Sequence, residues 1–286
     1  MPMARAVLCL TAVAGLTFAL LPLQLVFLAL RMNAATGLPV RYHRIVGRIL
    51  GLDIRVIGAR AAGGSVLYVV NHSSWLDIVV LSTVLPGRFV AKKEVAAWPI
   101  VGILAKLQRS VFVARERRDV DRHREELVRS LEAGDSLILF PEGTSSDGNG
   151  VLAFKSALFA VAEKPVKGAA LRVQPVSLAY TRLNGMPLGR HLRPFFTWYG
   201  DMALGSHLWR ALGMGPLTAV VQLHEAVTID GFASRKALSR HCHDIVAAGL
   251  SAALAGRVGW TEDGRAATAG QGRAASLAAL SGAAES

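Results

Sequence analysis

The sequence predicts an α/β fold, in which a mixed sheet is flanked by helices and preceded by a membrane-anchoring helix. Short apolar runs typical of buried strands alternate with amphipathic helical patterns along residues 38–256. Residues 6–30 contain no Asp, Glu, Lys, Arg or His, and 52% of the 286 residues are hydrophobic. We therefore expect an anchor at 1–32, one globular domain at 33–255 and a flexible Ala/Gly-rich tail at 256–286.

The apolar N-terminal segment is long enough to cross a bilayer, because about 20 residues suffice for a helical span. Pro22 and Gln24 interrupt it, so both a kinked span and an anchor that only inserts in the bilayer stay open. A signal peptide fits less well, since Arg31 follows the segment instead of a small-residue cleavage site. One arginine precedes the segment and several follow it, so the positive-inside rule predicts a globular domain on the cytoplasmic side.

The net charge of +12 favours an anionic partner, such as nucleic acid, an anionic leaflet or a phosphorylated substrate. Nucleic acid is disfavoured, because the basic residues are dispersed and form no nucleic-acid motif. Cys9 and Cys242 are the two cysteines, which predicts no disulfide framework and a reducing compartment. His241 and His243 would point to different faces of a helix, so we expect no metal site.

The helix at 38–50 is predicted to be basic and amphipathic, as suits an anionic membrane surface. Ser73 or Ser74 is expected to cap the helix that follows the second strand, and Gly134 is expected to end a later one. Strands are predicted at 54–58, 66–70, 87–91, 110–114, 136–140, 172–180 and 217–227, and further helices at 73–85, 119–134, 154–164 and 234–256.

Polar side chains directly follow four of the predicted strands, and open α/β sheets place their sites at such strand ends. In "VVNHSSWLDIVVLS", residues 69–82, His72 follows a strand and Asp77 lies on the next helix. A carboxylate that accepts the imidazole N–H would fix the tautomer that a general base needs. The alternative is a capping pair with one exposed aspartate.

Three other strand ends supply candidates for holding an anionic group. Each has a structural alternative: an ordinary turn for "FPEGT", a solvated charge run for "SVFVARERR" and surface lysines for "VAKKE". The candidates are Glu142, Gly143 and Thr144 in "FPEGT", Arg115 in "SVFVARERR", and Lys92 and Lys93 in "VAKKE".

These motifs occur in one order along the chain, and together they resemble the glycerolipid acyltransferase family, to which bacterial lysophosphatidate acyltransferases belong. They are His72 with Asp77, Arg115 after "VFVA", "FPEGT" at 140–144 and "QPVSLAY" at 174–180, and the resemblance covers roughly residues 40–230. It implies that His72 is the general base and Asp77 its orienting partner. It also implies that the acceptor's phosphate and glycerol pocket comprises Arg115, Glu142, Gly143 and Thr144, assisted by Lys92 or Lys93.

The implied reaction moves an acyl chain from an acyl thioester to a hydroxyl group, with His72 taking the hydroxyl proton. Donors near Gly143 or at the helix start are expected to stabilise the oxyanion. No cofactor or metal is implied; acyl carrier protein or coenzyme A would carry the acyl group as co-substrate. The basic surface favours the acidic carrier protein.

Three longer stretches, at 91–118, 144–149 and 185–202, are similar to the bacterial enzymes that acylate lyso-ornithine lipid to ornithine lipid. The resemblance therefore implies lyso-ornithine lipid as the lysolipid acceptor, with lysophosphatidate as a second acceptor. The expected location is a bacterial inner membrane, with the catalytic domain facing the cytoplasm. Three alternatives stay open: a dedicated 1-acyl-sn-glycerol-3-phosphate acyltransferase, a hydrolase using the same His–Asp pair on water, and a non-enzymatic basic membrane-binding protein.

Overall fold

The computed structural model describes residues 2–113, 120–200 and 202–258. Most of the proposed tail, 259–286, lies outside the described residues, as does Arg115. The α-helices are α1 Pro2–Ala29, α2 Ala34–Leu50, α3 Leu76–Val84, α4 Val101–Leu107, α5 Val120–Glu132, α6 Leu204–Met214 and α7 Arg235–Leu254. The strands are β1 Leu52–Ile57, β2 Val66–Val70, β3 Arg88–Lys92, β4 Val111–Val113, β5 Leu137–Leu139, β6 Arg172–Leu183, β7 Met186–Pro187 and β8 Leu217–Leu223.

The strands form one mixed sheet in the order β1-β8-β6-β2-β5-β3-β4, with the two-residue β7 paired to β6. The neighbours from β6 to β4 run parallel, whereas β8 runs antiparallel to β6 and β1 runs parallel to β8. The predicted α/β class and mixed sheet are confirmed. Because β2, β5, β3 and β4 are parallel, their carboxyl ends meet at one edge of the sheet.

Helices cover both faces of the sheet, which explains the unbroken apolar run of β2. All five residues of this strand are at most 2% exposed. Tyr68 and Val70 pack in a core with α2, α3 and α6, while Leu67 and Val69 pack in a second core with α5 and α7. A strand buried on both faces needs apolar side chains at every position, not at alternate ones.

Among the elements of seven or more residues, three differ from the sequence prediction. Residues 154–164 were expected to form an α-helix but contain a 3-10 helix at Ser156–Glu163. Four consecutive residues of this segment, 159–162, are buried, so it lacks the single apolar stripe of a surface helix. Helices α4 and α6 were not predicted, because their apolar residues lie on short segments.

Helices α1 and α2 pack antiparallel as a helical hairpin. Helix α1 is long and apolar enough to cross a membrane, judged by length and composition only. Its outer face leaves Leu8 and Phe18 about 70% exposed. Polar contacts join the two helices along their length: Arg5 to Leu50 O, Cys9 to Ile49 O, Thr17 to Tyr42 Oη and Gln24 to Ala35 O.

Candidate active site

The end of β2 brings a histidine and a carboxylate into contact. His72 Nδ1 lies 2.8 Å from Asp77 Oδ2. The Asp77 side chain is fully buried, whereas the His72 side chain is 22% exposed. The alternative of a capping pair with an exposed aspartate is therefore wrong.

Asp77 accepts hydrogen bonds from four donors. Besides His72, the backbone N–H groups of Ser73 and Ser74 donate to Oδ2 at 2.7 and 2.9 Å. The Tyr180 hydroxyl donates to Oδ1 at 2.7 Å. A carboxylate held by four donors keeps its orientation without help from solvent, and this fixes the ring of His72.

Of the two serines predicted to cap α3, Ser74 bonds to the start of the helix: its Oγ accepts the Leu76 N–H at 3.3 Å. The N-cap position is Trp75, which makes no side-chain capping bond. Ser74 Oγ also donates to Phe196 O at 2.6 Å, and the Asp77 carboxylate binds the N–H groups that precede the helix. Asp77 lies in the first turn of α3, and its carboxylate accepts hydrogen bonds from backbone N–H groups that precede the helix, as the acidic residue of a capping box does.

Tyr180 is a donor in this site because it stays protonated. Complete burial, together with the negative charge and hydrogen bond of Asp77, raises its pKa well above the ordinary value. The hydroxyl therefore stays protonated and donates its hydrogen bond to Asp77 Oδ1.

The position of His72 is further set by its backbone and by an aromatic ring. Its N–H donates to Glu142 Oε1 at 2.7 Å, and its carbonyl accepts the Ser146 N–H at 2.8 Å. The imidazole stacks on the ring of Phe140, with centroids 4.1 Å apart. Since Nδ1 is engaged by Asp77, the tautomer with its proton on Nδ1 leaves the Nε2 lone pair to accept a proton.

Glu142 joins two loops of the site. Its second carboxylate oxygen, Oε2, accepts the Leu152 N–H at 2.8 Å, and the residue is 2% exposed. Burial, reinforced by the charge of Asp77 and opposed by the two backbone hydrogen bonds, raises its pKa to about 7. Both oxygens are used within the protein, so the geometry gives Glu142 a positioning role, and substrate contact by Glu142 stays a prediction.

The raised pKa of Glu142 predicts a stability that falls as the pH rises. The native protein binds this proton more tightly than the unfolded chain, whose glutamate has the ordinary pKa of 4.5. The contribution of Glu142 to native stability is therefore greatest below about pH 4.5 and declines up to about pH 7, by on the order of 3 kcal/mol. Glu142→Gln should remove this decline in denaturant unfolding curves recorded across that pH range in detergent.

A matched control for this prediction is Glu163→Gln, because Glu163 is exposed and pairs with Arg235 at the surface. Its unfolding curves should show the same pH dependence as the unsubstituted protein. An unchanged pH dependence in Glu142→Gln would assign the titration to another group.

The "FPEGT" segment forms a tight turn beside His72. Gly143 has a φ of +67° and donates its N–H to Phe140 O at 3.1 Å. Thr144 is exposed at the rim. A Cβ built on Gly143 would lie 2.7 Å from Lys155 Nζ, so a lysine that sequence analysis did not select extends over this turn. Two further lysines, Lys92 and Lys93, lie at the carboxyl end of β3, on the same sheet edge.

The expected oxyanion donors are already engaged. The Gly143 N–H is bound to Phe140 O, and the Leu76 N–H at the start of α3 lies 3.3 Å from Ser74 Oγ. Neither is free to stabilise a developing oxyanion in this arrangement.

Besides Lys155, sequence reasoning missed three residues that build the site. Tyr180 completes the shell of Asp77. Asn71 bonds both backbone groups of Leu178, at 2.8 and 2.9 Å, and so joins the end of β2 to β6. Phe196 is 1% exposed, and its carbonyl accepts the hydrogen bond of the Ser74 hydroxyl. The signal for Tyr180 was present in "QPVSLAY", where it lies on the same strand face as Leu178 and Val176.

An oriented, partly exposed histidine at the end of a parallel strand, with lysines on the same sheet edge, is the arrangement expected of an enzyme that removes a proton from a substrate carrying an anionic group. The family model described as Acyltransferase matches residues 53–179, which include His72, Asp77 and Glu142. The lyso-ornithine lipid O-acyltransferase of Brucella abortus is 44% identical over 88% of this chain and 96% of its own length. This chain belongs to the acyltransferase family and is an acyltransferase.

Two further relatives have different names. The lyso-ornithine lipid O-acyltransferase of Rhizobium meliloti is 40% identical over 88% of each chain. The 1-acyl-sn-glycerol-3-phosphate acyltransferase of Neisseria gonorrhoeae is 35% identical over 65% of this chain and 72% of its own. The crystal structure of the 1-acyl-sn-glycerophosphate (LPA) acyltransferase from Thermotoga maritima superposes with a TM-score of 0.63 at 23% identity. The superposition covers 92% of this chain and 100% of the Thermotoga maritima chain, which supports the fold.

Proposed function

We propose that this acyltransferase moves an acyl chain from an acyl thioester to the hydroxyl of lyso-ornithine lipid to give ornithine lipid. Lysophosphatidate is a second acceptor, which gives phosphatidate. The observation that carries the reaction type is the contact between His72 and the buried Asp77. The acceptor is supported by the names of the two relatives that are 40% and 44% identical over nearly the whole chain.

The proposed chemistry uses His72 twice. Nε2 takes the acceptor's hydroxyl proton as that oxygen attacks the thioester carbon and the C–O bond forms. When the tetrahedral intermediate collapses, the C–S bond breaks and the imidazolium returns the proton to the leaving thiolate. Asp77 stabilises the imidazolium between the two steps, and no cofactor or metal takes part.

The acceptor's anionic group is proposed to lie among the lysines at this sheet edge. Lys92, Lys93 and Lys155 come from two different segments beside the strand ends, and Arg115 remains a predicted fourth contributor outside the described residues. Lysine binds a carboxylate or a phosphate as a point charge and does not require either geometry. The same pocket chemistry therefore serves the ornithine carboxylate and the glycerol phosphate.

A dedicated 1-acyl-sn-glycerol-3-phosphate acyltransferase is the second candidate. It is favoured by the Neisseria gonorrhoeae relative, whose 35% identity extends over 194 residues.

Acyl transfer by membranes that contain the full chain distinguishes the two candidates. Lyso-ornithine lipid and lysophosphatidate are offered separately with a labelled acyl carrier protein thioester, and His72→Ala membranes serve as the control. We expect label in ornithine lipid that disappears in the variant. Label in phosphatidate alone would establish the second candidate. Free labelled fatty acid formed without an acceptor would instead indicate a hydrolase.

Acyl carrier protein is proposed as the acyl donor, because it is acidic and this chain carries a net charge of +12. Complementary charge raises the rate of encounter and makes it sensitive to salt. The same membranes supplied with the coenzyme A thioester at matched concentration should show less transfer.

The hairpin of α1 and α2 is proposed to lie in the cytoplasmic leaflet of a bacterial inner membrane instead of crossing it. Arg41, Arg44 and Arg48 are exposed on α2, which is held against α1. Each arginine at the centre of a bilayer costs about 2.5–3.5 kcal/mol. A hairpin with this charged face is more stable with α1 in the lipid and the arginines at the head groups.

This position predicts that the N-terminus and the globular domain are on the same side of the membrane. Met3→Cys and Ala157→Cys, each in a chain with Cys9 and Cys242 replaced by alanine, should both react with a membrane-impermeant maleimide in inverted vesicles. Both positions are exposed in the structure. Reaction of residue 157 alone would show that α1 spans the bilayer.

A further inference from the structure

An open groove lies beside the edge strand β1, away from His72. Its cavity volume is about 650 Å³, and its walls come from α2, β1 and the end of α3. The groove contacts Thr83 and Val84 at the last turn of α3, whereas Asp77 lies in the first turn. A nine-residue helix is about 12 Å long between its first and last residues, so the groove is separate from the acyl-transfer site.

Three arginines line the groove. Arg44 and Arg48 are one helical turn apart on α2, and Arg60 follows the carboxyl end of β1. No aspartate or glutamate is among the described residues that line the cavity. Within the described part of the chain, none of the three arginines forms a salt bridge with a protein carboxylate. Guanidinium groups stay charged and bind phosphate oxygens in pairs, so the site is complementary to a phosphate group.

The floor of the groove is apolar. It consists of Leu52, Ile54 and Val56, of which Val56 is 37% exposed. A free phosphate ion or another polar anion would make no favourable contact with this apolar surface. An amphiphile covers it with an acyl chain while its head group meets the arginines.

The groove is continuous with the proposed membrane surface. Helix α2 supplies Arg44 and Arg48 to the groove, and the same helix packs against the apolar α1. Lipids at the level of the α2 arginines would therefore reach the groove without leaving the leaflet. A concave apolar floor at this depth fits a lipid better than it fits the convex surface of an acidic protein.

We propose that this groove is a second lipid site, which binds an anionic phospholipid by its phosphate through Arg44, Arg48 and Arg60. The acyl chain lies along Leu52, Ile54 and Val56. The proposal rests on the in-plane position of the hairpin but not on the identity of the acceptor. Occupation of the site holds the β1 edge and the hairpin at the lipid surface, and leaves the pocket beside His72 open for the acceptor.

Photo-crosslinking tests the site without using activity. The full chain is placed in phosphatidylcholine nanodiscs with phosphatidylglycerol that carries a diazirine in its acyl chain, and the labelled peptides are identified by mass spectrometry. We expect labels on β1 and on the end of α3, with far less label from the matching phosphatidylcholine probe. In the triple variant R44Q/R48Q/R60Q the label at these positions should fall about tenfold or more.

Two further variants separate this site from general attraction to an anionic surface. Arg41→Gln removes an exposed charge from the same helix but outside the groove, and it should leave the label unchanged. Val56→Phe keeps every charge and fills the floor at an exposed strand position that accepts aromatic residues, and it should lower the label.

Four results would overturn the proposal. Equal loss in Arg41→Gln and in the triple variant would indicate diffuse electrostatics, and equal labelling by both probes would remove the selectivity for anionic lipid. Displacement of the label by inorganic phosphate would identify a free-phosphate site. An unchanged label with a raised KM for acyl carrier protein in the triple variant would make the groove a carrier-protein surface. None of these results depends on which acceptor the enzyme uses.

Discussion

His72→Ala is expected to lower kcat for acyl transfer by about 10²–10⁴-fold, the usual contribution of a positioned general base. No other described side chain is placed to replace it, since Asp77 is fully buried and Glu142 is engaged by two backbone N–H groups. Binding of the lysolipid should change little, because alanine removes no charge that faces the acceptor's anionic group.

The measurement is kcat and KM in detergent micelles, with circular dichroism and thermal melting as checks on the fold. His243→Ala is a matched control, because His243 forms a 3.0 Å contact with Asp244 at the surface. It should retain full activity. A folded His72→Ala variant with near-normal kcat would show that acyl transfer does not use this imidazole as a base.

Asp77→Asn is expected to lower kcat by about 10²–10³-fold, because it removes the negative charge that stabilises the imidazolium. The amide oxygen can still face the three N–H donors, while its NH₂ group faces Tyr180, whose hydroxyl can accept a hydrogen bond. The free energy of unfolding should therefore fall by only about 1–3 kcal/mol, since hydrogen bonds to a charged group become bonds to a neutral one.

Tyr180→Phe separates charge from positioning at the same carboxylate. It keeps the negative charge and the contact with His72 but leaves Asp77 Oδ1 without its 2.7 Å donor. We expect a loss of stability of about 1–3 kcal/mol with less than about tenfold loss of kcat. Equal losses of kcat in Asp77→Asn and Tyr180→Phe would mean that the orientation of Asp77, and not its charge, governs the rate.

Several features follow from local sequence patterns, because they depend on short stretches of chain. The run "VLYVV" predicts a strand buried on both faces, and the structure has it at β2. The apolar segment 6–30 predicts the long helix α1. The spacing of His72 and Asp77 predicts their contact, since one strand end and the next helical turn bring them together. The order of the motifs along the chain predicts the family.

Other features depend on strand order and register, which no local pattern contains. Asp77 meets Tyr180 across 103 residues, and Asn71 meets Leu178 across 107, because β6 lies beside β2 in the sheet. Lys155 reaches Gly143 because its backbone N–H binds Pro141 O. Lys155 lies at the start of the segment 154–164, which was expected to be an α-helix. Glu142 was selected as a substrate contact, and its burial against two backbone N–H groups became visible only in the folded chain.

The sequence by itself therefore determined the fold class, the long apolar N-terminal helix, the His72–Asp77 pair and the acyltransferase family. Only the tertiary structure decided how Asp77 is held, what Glu142 binds, and that α2 and β1 enclose a groove lined by three arginines. The physical reason is the range of the interactions. Hydrophobic periodicity and turn chemistry act over a few residues, whereas buried hydrogen bonds and grooves form between segments that the sheet brings together.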